Sequence, residues 1–196
     1  DRGETAKISE CCRLSFKLEA SDFEDAKEPW KMRYSALQNV TINLPRLAYQ
    51  ADGNDTELFS LLTKKIELAL KAHEEKKKFI ERLMALGEGG PLSMLAMKLD
   101  GQTYLRLHRC SYLVGMVGLN ELVKVHFGQE LHESDAALKF GLKVIAHMNI
   151  VCNKLSEASG MKLVLEQTPA ESTAYRFAKL DLAHYGGHAQ GVGRGN

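Results

Sequence analysis

"MKLVLEQTPAESTAYRFAKLD", residues 161–181, decides the fold. "MKLVLEQ" (161–167) is a strand, and a helix follows it with almost no loop between. Thr168 stands in the N-cap place, Pro169 at the first helical position and Glu171 at the third. That is a capping-box pattern, with proline where a helix best tolerates it. The helix is expected from Pro169 to about Tyr185, where the Gly186–Gly187 pair closes it.

The same succession recurs upstream. "NVTINLPRLA" (39–48) is β-branched and apolar and reads as a buried strand stopping at Pro45. "ADGND" is a turn, with Asp55 as the N-cap of a long helix over 56–86. Leu58, Leu61, Leu62, Ile66, Leu70, Phe79, Ile80 and Leu83 recur in it at helical spacing, "EEKKK" is a solvated face, and "GEGG" ends it. "PLSMLAMKLDGQTYLRLHR" divides into a short helix and a hairpin-like segment. "CSYLVGMVGL" (110–119) has strand character and enters the short helix "NELVKVHFG". Ser134 or Asp135 caps a helix that runs to about Ser159 and stops at Gly160. Residues 1–35 show no clear period and read as loop or excursion.

Strand, helix, strand, helix, helix, strand, helix is the order of an α/β fold, with parallel strands and helices packed outside. The pattern does not separate an open sheet from a barrel. In either, chemistry gathers at the C-terminal ends of the strands.

Composition narrows the function. The chain has 196 residues, 44% of them hydrophobic and 26% charged, with net charge +1. That balance argues against a surface that coats nucleic acid. No apolar run approaches the ~20 residues of a membrane helix, and "DRGETAKISE" has no apolar signal-peptide core. Cys11, Cys12, Cys110 and Cys152 show no CxxC spacing, so free thiols in a reducing cytoplasm are expected. The seven histidines show no metal-ligand spacing. The abrupt start and the glycine-dense "HYGGHAQGVGRGN" read as the ends of a piece cut from a longer chain.

The strand-to-helix joint at Thr168 admits two readings: a well-made helix start and nothing more, or a phosphate site. A helix N-terminus presents backbone N–H groups and a positive dipole end, and Ser172 and Thr173 add hydroxyls. The Glu171 carboxylate opposes an anion unless it folds back onto the cap.

"CCR" (11–13), "VTINLPRLA" (40–48) and "TPAES" (168–172), in this order and at this spacing, resemble the anaerobic (class III) ribonucleotide reductases, which are glycyl radical enzymes. "VGMVGLNE" (114–121) and "RFAKLD" (176–181) extend the resemblance over nearly the whole chain. It implies part of a ten-stranded α/β barrel. Residues 1–38 would supply a finger loop and excursion, 39–186 alternating strands and helices, and 187–196 a loop.

The resemblance also implies the chemistry: anaerobic reduction of ribonucleoside triphosphates to 2′-deoxyribonucleoside triphosphates. Cys12, directly before Arg13, takes the place of the thiyl radical that abstracts the ribose 3′ hydrogen. "TPAES" takes the place of the phosphate grip, with Thr168, Pro169, Ala170, Glu171, Ser172 and Thr173 as substrate-binding residues. Glu166 would end near the ribose, as an acid or base on a hydroxyl or as the partner of a cation. Asn43 would either order the site or satisfy a strand end. Arg46 reads as structural, and Cys110 and Cys152 as inert core thiols.

The resemblance places other parts outside these residues: the glycyl radical, a structural zinc, and a regulatory domain for ATP and dNTP effectors. It implies a homodimer and a separate activase that uses S-adenosylmethionine and an iron–sulfur cluster. Formate-using members carry a "GRxN" asparagine before the "VTINLPR" strand. Here that region reads "MRYSALQN", with Ser35 or Ala36 at the expected place. The departure points to a thioredoxin-like reductant rather than formate. A second reading keeps the nucleotide-binding loop without the chemistry, as a catalytically incomplete nucleotide-binding module.

Overall fold

A computed structural model describes residues 7–11, 14–17, 22–99 and 101–192. In chain order the elements are β1 (Lys7–Cys11), β2 (Leu14–Lys17), α1 (Asp22–Ala26), β3 (Ser35–Asn43), α2 (Leu44–Ala51), α3 (Asp55–Met84), α4 (Ser93–Ala96), β4 (Lys98–Leu99), β5 (Gln102–Thr103), β6 (Cys110–Val117), α5 (Leu119–Phe127), α6 (Asp135–Ser159), β7 (Lys162–Gln167) and α7 (Glu171–Ala189). Residues 1–38 with 73–112 form one compact unit, and 39–72 with 113–196 form a second.

The fold is mixed α/β with a parallel sheet, in the order β3-β6-β7. Parallel neighbours need long crossovers. Here α2 and α3 lie between β3 and β6 in the chain, and α5 and α6 between β6 and β7. β6 is central and is buried from Cys110 to Gly115. A strand covered on both faces cannot alternate apolar with polar, which is why "CSYLVGMV" is nearly continuous apolar sequence.

In the second unit α2 packs on α5 and α7, α5 on α6, and α6 on β7. Leu44, Leu47, Leu58, Leu62, Leu122, Val123, Val144 and Met148 are buried there. Each such side chain contributes about 1.5–3 kcal/mol of burial free energy. Gly118, at φ 82°, turns β6 into α5. A Cβ at Gly118 would stand 2.6 Å from the Pro45 ring, so only glycine permits both the turn and the close approach. Ser134 Oγ accepts from the Ala137 N–H at 3.1 Å and starts α6. Gly160, at φ 67°, ends it.

In the first unit β1 and β2 pair antiparallel, with Lys7 opposite Lys17 and Cys11 opposite Leu14. β4 and β5 form a second small hairpin. Two buried arginines share one carboxylate: Arg106 Nη1 and Arg109 Nη1 each lie 2.7 Å from Asp25 Oδ2. These two guanidinium groups hold the Asp25 carboxyl below its ordinary range.

Four local expectations are corrected. Residues 1–35 are not all loop, since β1, β2 and α1 form there. The strand at "NVTINLPRLA" begins earlier, at Ser35, and ends at Asn43. "LPRLAYQA" is a helix, with proline in its first turn and Asn43 as its N-cap. Pro45 therefore marks a helix start and not merely a strand stop. Asn54, not Asp55, caps α3: its Oδ1 accepts from the Glu57 N–H at 3.1 Å. The last helix begins at Glu171 with Ala170 as its N-cap, and no side chain caps it.

Candidate functional site

Residues two apart on a strand share a face. On β3, Asn39 and Thr41 point toward β6 and the end of β7. There Asn39 Nδ2 donates to Glu166 Oε1 and lies 3.4 Å from Thr168 Oγ1. The Thr41 and Thr168 hydroxyls are 3.1 Å apart, and Thr41 Oγ1 donates to Asn39 Oδ1 across 3.4 Å. Four side chains, two from the middle and C-terminal half of β3 and two at the end of β7, thus form one polar cluster.

Gly115 makes room for it. A Cβ at that position would meet Asn39 Oδ1 at 2.5 Å and Thr41 Oγ1 at 2.9 Å, and would also run into Thr168 Oγ1. The backbone at Gly115 is not in the left-handed region. Its glycine is required by space and not by conformation.

The Thr168 N–H donates to Met116 O at 3.1 Å, so the β6–β7 ladder runs one residue past β7. This is why Thr168 does not cap α7 as the capping-box pattern predicts. Its hydroxyl turns to Thr41 instead. Pro169 and Ala170 then bridge to α7, whose first intrahelical bond runs from the Ala174 N–H to Ala170 O at 2.7 Å. The N–H groups of Glu171, Ser172 and Thr173 precede any helical turn that could accept from them. They are grouped with the helix's positive end immediately after Thr168. Glu171 and Ser172 are exposed and Thr173 half-buried.

Asn43 stands apart from this cluster. Its Oδ1 faces the Arg46 N–H at the start of α2. Its Nδ2 donates to Asp181 Oδ2 at 2.7 Å. Arg46 Nε donates to Asp181 Oδ1, also at 2.7 Å. Asp181 is only 3% exposed. Asn43 and Arg46 thus fasten α7 to the first turn of α2. Nearby, Tyr49 packs on Tyr185 with ring centroids 5.2 Å apart. Burial, with Asp181 and Glu121 nearby, pushes the Tyr49 phenol up to about 12.

Cys12 and Arg13 lie outside the described residues. Cys110 and Cys152 are buried thiols. The Cys110 sulfur lies 3.1 Å from Ser35 Oγ, and burial pushes the Cys152 thiol up to about 11, far from a reactive thiolate. Among the described residues, no group of three His, Cys, Asp or Glu side chains is placed to hold a metal ion. No described helix is long and apolar enough to cross a membrane.

Sequence reading picked out Glu166 and Thr168 but missed Asn39, Thr41, Gly115 and Asp181. One signal was available. In "NVTIN", Asn39, Thr41 and Asn43 alternate with Val40 and Ile42, a polar face on an otherwise apolar strand.

A parallel α/β sheet thus brings a carboxylate, an amide and a helix N-terminus together beside the end of β7, and comparison with known proteins makes the class specific. The sequence model of the anaerobic ribonucleoside-triphosphate reductases matches residues 1–194. The chain belongs to that family, whose members are oxidoreductases. It is similar to the anaerobic ribonucleoside-triphosphate reductases of Salmonella typhimurium (27% identical over 154 residues) and Enterobacteria phage T4 (27% over 157 residues). Each match covers 75% of this chain, but only 22% and 24% of those proteins. The chain therefore spans about a quarter or less of the length of these relatives. Its fold is similar to that of the anaerobic ribonucleotide reductase from Thermotoga maritima with citrate in the active site. That match has TM-score 0.70 and 21% identity, and covers 81% of this chain and 28% of that one. The same enzyme in complex with dATP and CTP matches with TM-score 0.68 and 21% identity, over 81% of this chain and 26% of that one.

Proposed function

We propose that the protein carrying this chain reduces ribonucleoside triphosphates to 2′-deoxyribonucleoside triphosphates under anaerobic conditions. One observation supports this reading above the others: the Glu166 carboxylate and the start of α7 are joined through Asn39 and Thr168 at the C-terminal end of β7. A nucleotide needs both ends of such a site, a polar grip for phosphate and an acid or base for ribose.

The residues then take these roles. The α7 start, with the backbone N–H groups of Glu171 to Thr173, the Ser172 hydroxyl and the Thr168–Pro169–Ala170 bridge, holds the phosphates. A glycyl radical elsewhere in the protein, installed by an activase that uses S-adenosylmethionine and an iron–sulfur cluster, supplies the unpaired electron. Cys12, having given up its own hydrogen atom to that radical, carries it to the substrate: an S–H bond forms as the C3′–H bond breaks, the radical passes to C3′, and after reduction the hydrogen returns from the Cys12 sulfur to C3′. Glu166 exchanges a proton with a ribose hydroxyl. The 2′ hydroxyl leaves as water. A thioredoxin-like dithiol supplies the two electrons and two protons and becomes a disulfide, so one ribonucleotide and one dithiol give one deoxyribonucleotide, one water and one disulfide. Asn43 holds α7 in place through Asp181. ATP and dNTP effectors, a structural zinc, a homodimeric assembly and a cytoplasmic location belong to the same proposal.

The experiment is deoxynucleotide formation by the full-length protein after anaerobic activation, with and without Cys12→Ser, and with the glycyl radical quantified by electron paramagnetic resonance. Product from the unmutated protein alone, with the radical present in both, supports the proposal. Turnover by Cys12→Ser transfers the radical role to Cys11. An unmutated protein that forms no radical, beside an activated control, favours a nucleotide-binding module without chemistry.

A further inference from the structure

We propose that Asn39 is a positioning residue for the reaction: it sets where the Glu166 carboxylate points and ties that carboxylate to the loop at Thr168. The inference rests on the functional reading above and adds a residue that the sequence motifs do not mark.

Three observations carry it. The first is connectivity. Asn39 Nδ2 donates to Glu166 Oε1 and lies 3.4 Å from Thr168 Oγ1. One amide therefore spans the ribose end and the phosphate end of the site, although both partners lie more than a hundred residues away in the chain. The second is the support beneath it. Asn39 and Thr41 project from a strand, which holds a group more narrowly than a loop does. Asn39 Oδ1 is in turn met by the Thr41 hydroxyl at 3.4 Å. The third is the space. Asn39 Oδ1 would lie 2.5 Å from a Cβ at Gly115, so the amide sits where the neighbouring strand has no side chain.

The chemistry suits the role. An amide N–H restrains a carboxylate without itself bringing a full positive charge. A lysine or arginine in its place would hold it as an ion pair. The geometry also separates the two ends of the site. Thr168 also meets the Thr41 hydroxyl at 3.1 Å, a contact that does not pass through Asn39. Loss of Asn39 therefore removes this hydrogen bond from Glu166 and leaves the Thr41–Thr168 contact in place.

The test uses the full-length enzyme, activated anaerobically, with turnover normalised to glycyl radical content. Asn39→Ala is expected to lower kcat by about 10- to 100-fold and to leave KM for the nucleotide within about threefold. The decisive comparison is a double-mutant cycle with Glu166→Gln. A residue that acts through Glu166 has nothing left to position in that background, so Asn39→Ala should cost less than about threefold there. Losses that multiply, or a raised KM with kcat unchanged, overturn the proposal. Should Asn39→Ala fail to accept the radical, Asn39→Asp has the same size and turns the donor into an acceptor facing a carboxylate. It is expected to lose at least as much kcat, and native kcat in Asn39→Asp overturns the proposal. The two readings fail differently. A native enzyme that makes no deoxynucleotide removes the functional reading and this inference with it. An active native enzyme with an unaffected Asn39→Ala removes the inference alone.

Discussion

Asp181, buried in the middle of α7, accepts from Asn43 Nδ2 at 2.7 Å, and Asn43 is also the residue that caps α2. One carboxylate thus joins the end of β3, the start of α2 and the body of α7. Its second oxygen takes Arg46 Nε, also at 2.7 Å. Asp181→Ala leaves an amide and a partly buried guanidinium without their acceptor. The expected loss is about 2–3 kcal/mol of unfolding free energy, read from denaturant midpoints. Asp181→Asn is expected to lose less, because it keeps one acceptor oxygen. A loss below about 0.5 kcal/mol for Asp181→Ala would show that the triad does not hold α7.

Gly115→Ala tests the space beneath the cluster. The added methyl would stand 2.5 Å from Asn39 Oδ1 and 2.9 Å from Thr41 Oγ1, so these side chains must shift. Overpacking of this kind costs about 1–3 kcal/mol. Turnover per radical should fall at least about tenfold. Adding Thr168→Ala removes the nearest obstacle and should restore part of the stability but not the turnover. Native turnover in Gly115→Ala would show that the cluster does not need this spacing.

The acid side of stability should report Asp55. The hydrogen bond from His126 Nε2, 2.8 Å away, leads the causes that hold its carboxyl below the ordinary value, with Lys143 adding to it. A depressed carboxyl stabilises the fold above its unfolded-state pKa. That contribution is lost as pH falls through the depressed folded-state value. Asp55→Asn is therefore expected to lower the denaturation midpoint at pH 7, and its difference from the native protein should vanish once the pH falls below the depressed folded-state value. Asp55 is 56% exposed, so solvent screening keeps the effect under about 1 kcal/mol. A difference that grows on acidification would contradict the assignment.

Ser134→Ala removes the N-cap of α6, whose Oγ accepts from the Ala137 N–H at 3.1 Å. The expected cost is about 1 kcal/mol. Ser134→Gly should cost only a few tenths more than native, since glycine leaves the backbone donor open to water. Denaturant titration of both variants distinguishes a cap from a packing role, for which the two would lose alike.

Local signals were readable where local physics decides the outcome. Ser134 and Gly160 mark the ends of α6 because a cap and a left-handed stop are set by residues in contact with their own helix. "CSYLVGMVGL" reads as a strand entering a helix because its apolar run and its glycine lie in one stretch of chain. The signals competed at Pro45. The β-branched run before it suggested a strand that simply stops, while Asn43 and Pro45 together start a helix.

The sequence by itself determined the alternation of strands and helices, the resemblance to the family, and Glu166 with Thr168 as residues of interest. Each of these is a pattern of near neighbours or of residue types at fixed spacing. Only the tertiary structure decided that Thr168 stays on the sheet instead of capping α7, because its N–H is taken by Met116 O across the β6–β7 ladder. It also decided that Asn43 binds Asp181 while Asn39 takes Glu166, pairs 138 and 127 residues apart in the chain. Asn39 and Asn43, four residues apart on the same strand face, have the same local physics. Which one meets a carboxylate in the site and which one ties down a helix depends on the strand and helix that fold against each, and no local pattern carries that choice.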